Sequence, residues 1–336
     1  MFKKVIFIFC FLVLCFGVGG DRVLACDSCF CSVIGRRDIP AGDSKEHKRA
    51  AFGFLFEQQN WDELPVQEAH ELHENGHHVH NKTHEEYSHF QASANPHKRV
   101  SILADIPYVV RTSIEVEEHP RLGQKQTSEG WGDLTLVGIW RFIENANGYL
   151  GVTGGVKFPT GETGNTKPER DIVAAHAEEE GEELEPDWEK YEIELQPGSG
   201  SYDFPVGGLF RYVSGFWTFR GNAVYTIKRK GARQFEFGNA FTTSFAADYL
   251  LNPESRLART SLGVDVNFQH EDKQKDHGAT VQDSGGDILF VGPSLIIDLN
   301  DNSQIYGNLL FPIYQDMGGV HQELDYTWTA GAKIAW

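Results

Sequence analysis

Apolar and polar residues alternate strictly through the last eleven positions of the chain. Tyr326, Trp328, Ala330, Ala332, Ile334 and Trp336 share one side, while Thr327, Thr329, Gly331, Lys333 and Ala335 share the other. Successive side chains of a strand point to opposite faces, so this is an amphipathic strand with an aromatic at each end of its apolar side. About ten residues is the length a tilted strand needs to cross a bilayer. Aromatics at both ends fit the girdles that flank the lipid-facing band of an outer-membrane barrel. A half-buried strand of a soluble sheet shows the same alternation.

The pattern recurs. Thr260, Leu262, Val264, Val266 and Phe268 oppose Arg259, Ser261, Gly263, Asp265, Asn267 and Gln269; Trp217, Phe219, Gly221, Ala223, Tyr225 and Ile227 oppose Thr218, Arg220, Asn222, Thr226 and Lys228. Period two alone does not separate a membrane barrel from a soluble sandwich. Length does better: these stretches run ten to sixteen residues, whereas soluble strands average about five or six. Eleven strands are predicted, at 50–59, 99–116, 131–143, 149–158, 202–213, 216–229, 237–251, 257–269, 287–299, 304–315 and 326–336. Tight turns at Asn145-Ala146-Asn147, Ser214-Gly215, Asn252-Pro253-Glu254-Ser255 and Asn300-Asp301-Asn302 alternate with charged connections at 117–130, 160–201, 230–236, 270–286 and 316–324. Short periplasmic turns alternating with long external loops are the layout of an outer-membrane barrel, and they put Trp336 on the periplasmic side. Such barrels have even strand numbers, so a twelfth is expected. Either 99–116 is two strands breaking near Asp105-Ile106-Pro107, or a further strand lies within 32–44. The expected fold is all-β, an antiparallel transmembrane barrel of about twelve strands over 49–336, with a histidine-rich loop at 60–97 and an acidic loop at 160–201. The first repair puts the histidine-rich loop outside; the second puts it in the periplasm.

The N-terminus agrees with export. Lys3-Lys4 is followed by an apolar run from Val5 to Val18 and then by Val23-Leu24-Ala25-Cys26, which describes a signal peptide over 1–25. Val-Leu-Ala-Cys is an imperfect lipobox, with charged Asp21-Arg22 upstream and Asp27 just after. The mature cysteines, Cys26, Cys29 and Cys31, are candidates for lipidation or a disulfide within the 26–48 segment. Crowded into six residues, they make no disulfide framework.

Glycine is abundant at 35 residues and methionine scarce at 2. No later run approaches the 18 apolar residues of a spanning helix, and alternating strands average to a soluble-looking hydropathy. A net charge of −18 argues against nucleic acid as a partner.

Several motifs occur in order: Ile106-Pro107-Tyr108-Val109, Gly130-Trp131-Gly132-Asp133-Leu134, Arg141-Phe142, and Gly155-Val156-Lys157-Phe158-Pro159-Thr160-Gly161. With their spacing, these resemble the outer-membrane family described as putative MetA-pathway of phenol degradation. The likeness is firm over 99–161 and continues as barrel texture to Trp336. It implies a diffusion channel or transporter in the bacterial outer membrane, with lipid around it and a small solute, hydrophobic or aromatic in kind, as cargo. Residues 26–96 have no counterpart in that pattern.

Eight of the fourteen histidines fall between His70 and His97. His70, His73, His77, His80 and His84 are spaced 3, 4, 3 and 4, which on a helix makes one stripe within reach of a shared ion. Imidazole suits zinc, copper or nickel. Asn75-Gly76 interrupts the stripe, and a solvated His/Glu-rich loop is the alternative reading. Such a loop would gain positive charge at low pH and face the acidic stretch 178–189. On the predicted lumen side lie Arg220, Lys228, Arg259, Asp265 and Lys333, with Arg141, Lys157 and Arg211. These charges either set a field that filters solutes or close the interior with salt bridges. No nucleophile elbow, phosphate-binding glycine loop or HExxH motif appears, so no enzyme chemistry is expected. The sequence therefore predicts a channel with a metal-gathering histidine loop. An exported metal-binding protein on a β scaffold, or a non-conducting barrel anchor, remains the alternative.

Overall fold

The computed structural model describes residues 48–62, 80–115, 125–167, 190–255, 258–317 and 323–336. In chain order the strands are β1 (Ala50–Trp61), β2 (His80–His97), β3 (Val100–Glu115), β4 (Lys125–Trp131), β5 (Leu134–Asn145), β6 (Gly148–Phe158), β7 (Phe204–Ser214), β8 (Trp217–Ile227), β9 (Ala240–Leu250), β10 (Arg259–Glu271), the small hairpin β11 (Lys275–Asp276) and β12 (Ala279–Thr280), β13 (Gly286–Asp298), β14 (Ser303–Met317) and β15 (Leu324–Ala335). Thirteen of them form one antiparallel sheet. β3 pairs through its external half with β4 and through its other half with β5, so those two are one wall strand and the wall has twelve. The ring closes where β1 pairs on one side with β15, Ala51 against Ala335, and on the other with β2. Closure leaves no sheet edge around the ring as a whole.

The alternation read from the sequence sets which face looks out. On β15, Ile334 is 50 % exposed and Trp336, just beyond it, 61 %, while the intervening Ala335 is 3 %. Val264 and Leu262 are half exposed, and Asp265 between them and the next strand positions is buried. Aromatic rings meet across strands on the outer surface: Phe54 with Phe90 at 5.4 Å, Phe90 with Trp131 at 5.6 Å, and Trp217 with Tyr249 at 5.0 Å. These spacings are those of favourable tilted and edge-on ring pairs. An apolar exterior over a closed, hydrogen-bonded wall is what a bilayer requires. Among the described residues no helix is long and apolar enough to cross a membrane.

Two expectations need correction. Within the stretch 99–116, Val100–Glu115 is one strand, β3, which does not divide at Pro107. The twelfth wall strand is β2, inside the stretch expected to be a histidine-rich loop. Its inward residues Glu85, Tyr87, His89, Gln91 and Ser93 are polar or amphipathic and its outward ones begin His84, Glu86 and Ser88, so the apolar stripe is short, only Phe90, Ala92 and Ala94. The placement has a consequence for sidedness. β1 leaves, and β2 enters, at the end that carries the long connections. The break expected within one strand falls instead between β4 and β5, at Gly132-Asp133.

Candidate functional site

The inner surface is polar and charged, and its geometry is organised by that break. Proline in a central strand removes a ladder donor, and Pro107 of β3 sits where pairing passes from β4 to β5. Its carbonyl accepts the Gly132 N–H at 2.8 Å. A Cβ on Gly132 would stand 2.8 Å from the Pro107 ring and 3.1 Å from the Pro197 carbonyl, so only glycine lets the three chains approach. The next residue ties them together. Asp133 accepts the Gly161 N–H at 2.8 Å on one oxygen; its other oxygen takes the Ser199 N–H at 3.0 Å and the Ser199 hydroxyl at 2.7 Å. Lys157 lies 3.3 Å from Asp133 and 2.6 Å from Asp203, and it donates to the Ser199 hydroxyl at 2.7 Å. The Thr160 hydroxyl accepts from the Leu134 N–H at 2.9 Å. The motif residues at Pro107, Gly132-Asp133 and Lys157–Gly161 are therefore one spatial knot that fastens the connection between β6 and β7, while Arg141 lies at the short-turn end, bonded to Ser101 and the Lys98 carbonyl.

From that knot the segment 190–201 is held against the inner face of the external half. Arg111, 2 % exposed on β3, donates to the Glu194 carbonyl at 2.9 Å and to the Gln196 carbonyl, and pairs with Glu85 at 3.3 Å. Asn165 donates to the Ser128 hydroxyl at 3.0 Å, and Gln196 in turn donates to the carbonyls of Asn165 and Tyr191. The short 3-10 turn Ile193–Leu195 turns its two apolar side chains into buried positions, Ile193 packing with Phe235 and Phe237. Two of the segment's carbonyls rest on an arginine and its Ser199 amide on an aspartate, which fixes the segment in place.

Several of the predicted lumen residues are members of ion pairs. Arg220 holds Asp248 through two bonds, at 2.7 and 3.0 Å. Lys228 lies 3.3 Å from Glu271 and over the Phe237 ring. Arg259 sits at the short-turn rim, 3.7 Å from Asp298 and 3.9 Å from Asp301. Arg141 donates to the Ser101 hydroxyl at 2.8 Å. Lys333 and Arg211 are half-buried inner-face residues of β15 and β7. Asp265 differs, being buried and bonded to the Asn308 amide at 2.8 Å. Of these charges, Arg220, Lys228 and Arg259, with Lys157, sit in ion pairs between strands. Residues not singled out from the sequence include Arg111, Glu85, His89, Asp105 and Asp248; strict alternation along 101–113 would have put Asp105 and Arg111 on the inner face.

His70, His73 and His77, the signal peptide and Cys26, Cys29 and Cys31 lie outside the described residues. His80 and His84 are strand residues of β2, so the helical stripe does not extend to them. His84 sits on the outer face with its ring nitrogens 3.1 Å from Asn60 and 3.0 Å from Glu86. Among the described residues no group of three or more His, Cys, Asp or Glu is arranged to hold a metal ion.

The family model described as "Putative MetA-pathway of phenol degradation" matches residues 189–315, C-terminal to the motifs that first suggested the likeness. No curated protein matches the chain. By fold, it is similar to an outer membrane channel from Pseudomonas putida F1, at 15 % identity over 89 % of this chain and 100 % of that one, with a TM-score of 0.59. It is similar also to the beta domain of the Bordetella autotransporter BrkA, at 8 % identity over 86 % and 100 % with a TM-score of 0.48. The KdgM porin in complex with disordered oligogalacturonate gives 8 % identity over 85 % and 99 %, with a TM-score of 0.42. With a closed twelve-strand wall, an apolar exterior and a polar interior, the chain is a bacterial outer-membrane β-barrel that resembles the phenol-degradation family in sequence and outer membrane channels in fold.

Proposed function

We propose that the protein is a passive outer-membrane channel for small solutes, with the segment 190–201 as its constriction. The observation that carries this reading is the double anchoring of that segment inside the barrel, by Arg111 on β3 and by Asp133 at the strand break. Selectivity would come from the width left beside the segment and from the charged groups lining it. The likeness to an outer membrane channel supports the same reading. Reconstitution into planar bilayers tests it: discrete conductance steps are expected. A protein that inserts, shown by heat-modifiable migration on a gel, yet passes no current under varied salt and pH would instead be an anchor.

A further inference from the structure

The connection between β8 and β9 carries a tight turn, 231–235, that lies backbone to backbone against the segment 190–201. The Ala232 N–H donates to the Ser199 carbonyl at 3.1 Å, and the Gly231 N–H closes the turn on the Phe235 carbonyl at 2.7 Å. A Cβ on Gly231 would collide with the Ser199 carbonyl oxygen, and one on Gly200 would stand 2.7 Å from the Ala232 nitrogen. Both chains therefore need glycine where they cross. Arg233 reaches over the crossing, donating to the Tyr191 carbonyl at 2.8 Å and to the Thr163 carbonyl at 3.2 Å. Phe235 and Phe237, edge-on to each other at 4.9 Å, pack with Ile193.

The turn is held in a conformation that its own residues disfavour. Arg233 has φ 49° and Gln234 φ 60°, two consecutive non-glycine residues in the left-handed region. A Cβ makes that region unfavourable, and such strain persists only where surrounding contacts outweigh it. Here those contacts run to the constriction and its neighbour: the Arg233 fork, the Ala232 bond and the two phenylalanines against Ile193. Docking keeps the turn wound, and undocking relaxes it. We propose that 231–235 is a sprung latch on the segment 190–201, with Arg233 as the residue that positions it. The strain works against the grip, so the segment exchanges between docked and released arrangements, and the latch sets the balance. Arg111 and Asp133 fasten the segment from the wall; the latch adds a hold that can let go. This inference rests on the channel reading and adds to it how the constriction is regulated.

The test is amide hydrogen exchange at Ala232 in lipid vesicles, paired with single-channel recording, for wild type, Gln234→Gly and Arg233→Ala, each first shown to be heat-modifiable. Gln234→Gly removes an exposed side chain and relieves strain while leaving the grip intact. Exchange at Ala232 should slow about fivefold, and the larger of two conductance levels should be visited less. Arg233→Ala removes the grip and keeps the strain, so exchange should quicken about tenfold and the larger level should dominate. A turn that only stabilised the fold would lose protection in both variants. Exchange that is unchanged or faster in Gln234→Gly overturns the inference even if Arg233→Ala fails to fold. So does one unvarying conductance level shared by wild type and Gln234→Gly. Opposite shifts in exchange with no current from any folded protein overturn the channel reading and leave the latch standing as a clasp on 190–201.

Discussion

Asp133 accepts the Gly161 N–H at 2.8 Å across the break in the fourth wall strand, and its second oxygen holds Ser199 on the other limb of the same connection. One carboxylate therefore clamps both limbs. Replacing it by alanine removes three donors' partner at once. A hydrogen bond to a charged group contributes about 1.5–3 kcal/mol, and about 1.4 kcal/mol is tenfold in an equilibrium. Asp133→Ala should shift the segment out of the lumen, raising mean single-channel conductance and adding open-state noise, while Asp133→Asn does so less. Unchanged conductance in a folded Asp133→Ala protein would contradict the constriction.

Arg111 separates holding the fold from holding the segment. Arg111→Ala leaves Glu85 buried beside Tyr87 without its guanidinium, and breaking a buried pair this way costs about 3–5 kcal/mol. The expected result is a clear drop in the temperature at which the heat-modifiable band converts. Arg111→Lys keeps the charge but loses the fork that reaches two carbonyls. It should hold the conversion temperature near wild type and still raise conductance.

The lipid face gives a third test. Val264 is 51 % exposed on the outside, near mid-depth of β10. An arginine at the bilayer midplane of such a barrel costs about 2–4 kcal/mol. Val264→Arg should lower the yield of assembled barrel and its stability to urea in lipid vesicles. Equal stability would mean that this position does not meet hydrocarbon.

Much of this fold was legible because the outward stripes of β8, β10 and β15 are apolar at every second residue, which is the periodicity that lipid imposes. β2 was not, because its outward positions near the external end are His84, Glu86 and Ser88, groups suited to the membrane's polar boundary. The motif around Asp133 signalled importance without showing why: its partners Gly161 and Ser199 lie 28 and 66 residues away, and only the folded chain joins them. The lumen set was half legible. Arg220 and Lys228 could be placed on the inner face by alternation, but their partners Asp248, on the neighbouring β9, and Glu271, two strands away on β10, are paired with them only by register.

Collision accessibility of nitroxide labels, placed one at a time along residues 260–269 in lipid vesicles, tests the whole arrangement most directly. Labels at Leu262, Val264, Val266 and Phe268 should be relaxed strongly by oxygen dissolved in the bilayer, and those at Ser261, Gly263, Asp265 and Asn267 weakly, with a period of two. A flat profile, or oxygen contact at the second set, would mean that this ribbon buries its apolar side among its own neighbours, and a membrane barrel with a polar interior would no longer describe the protein.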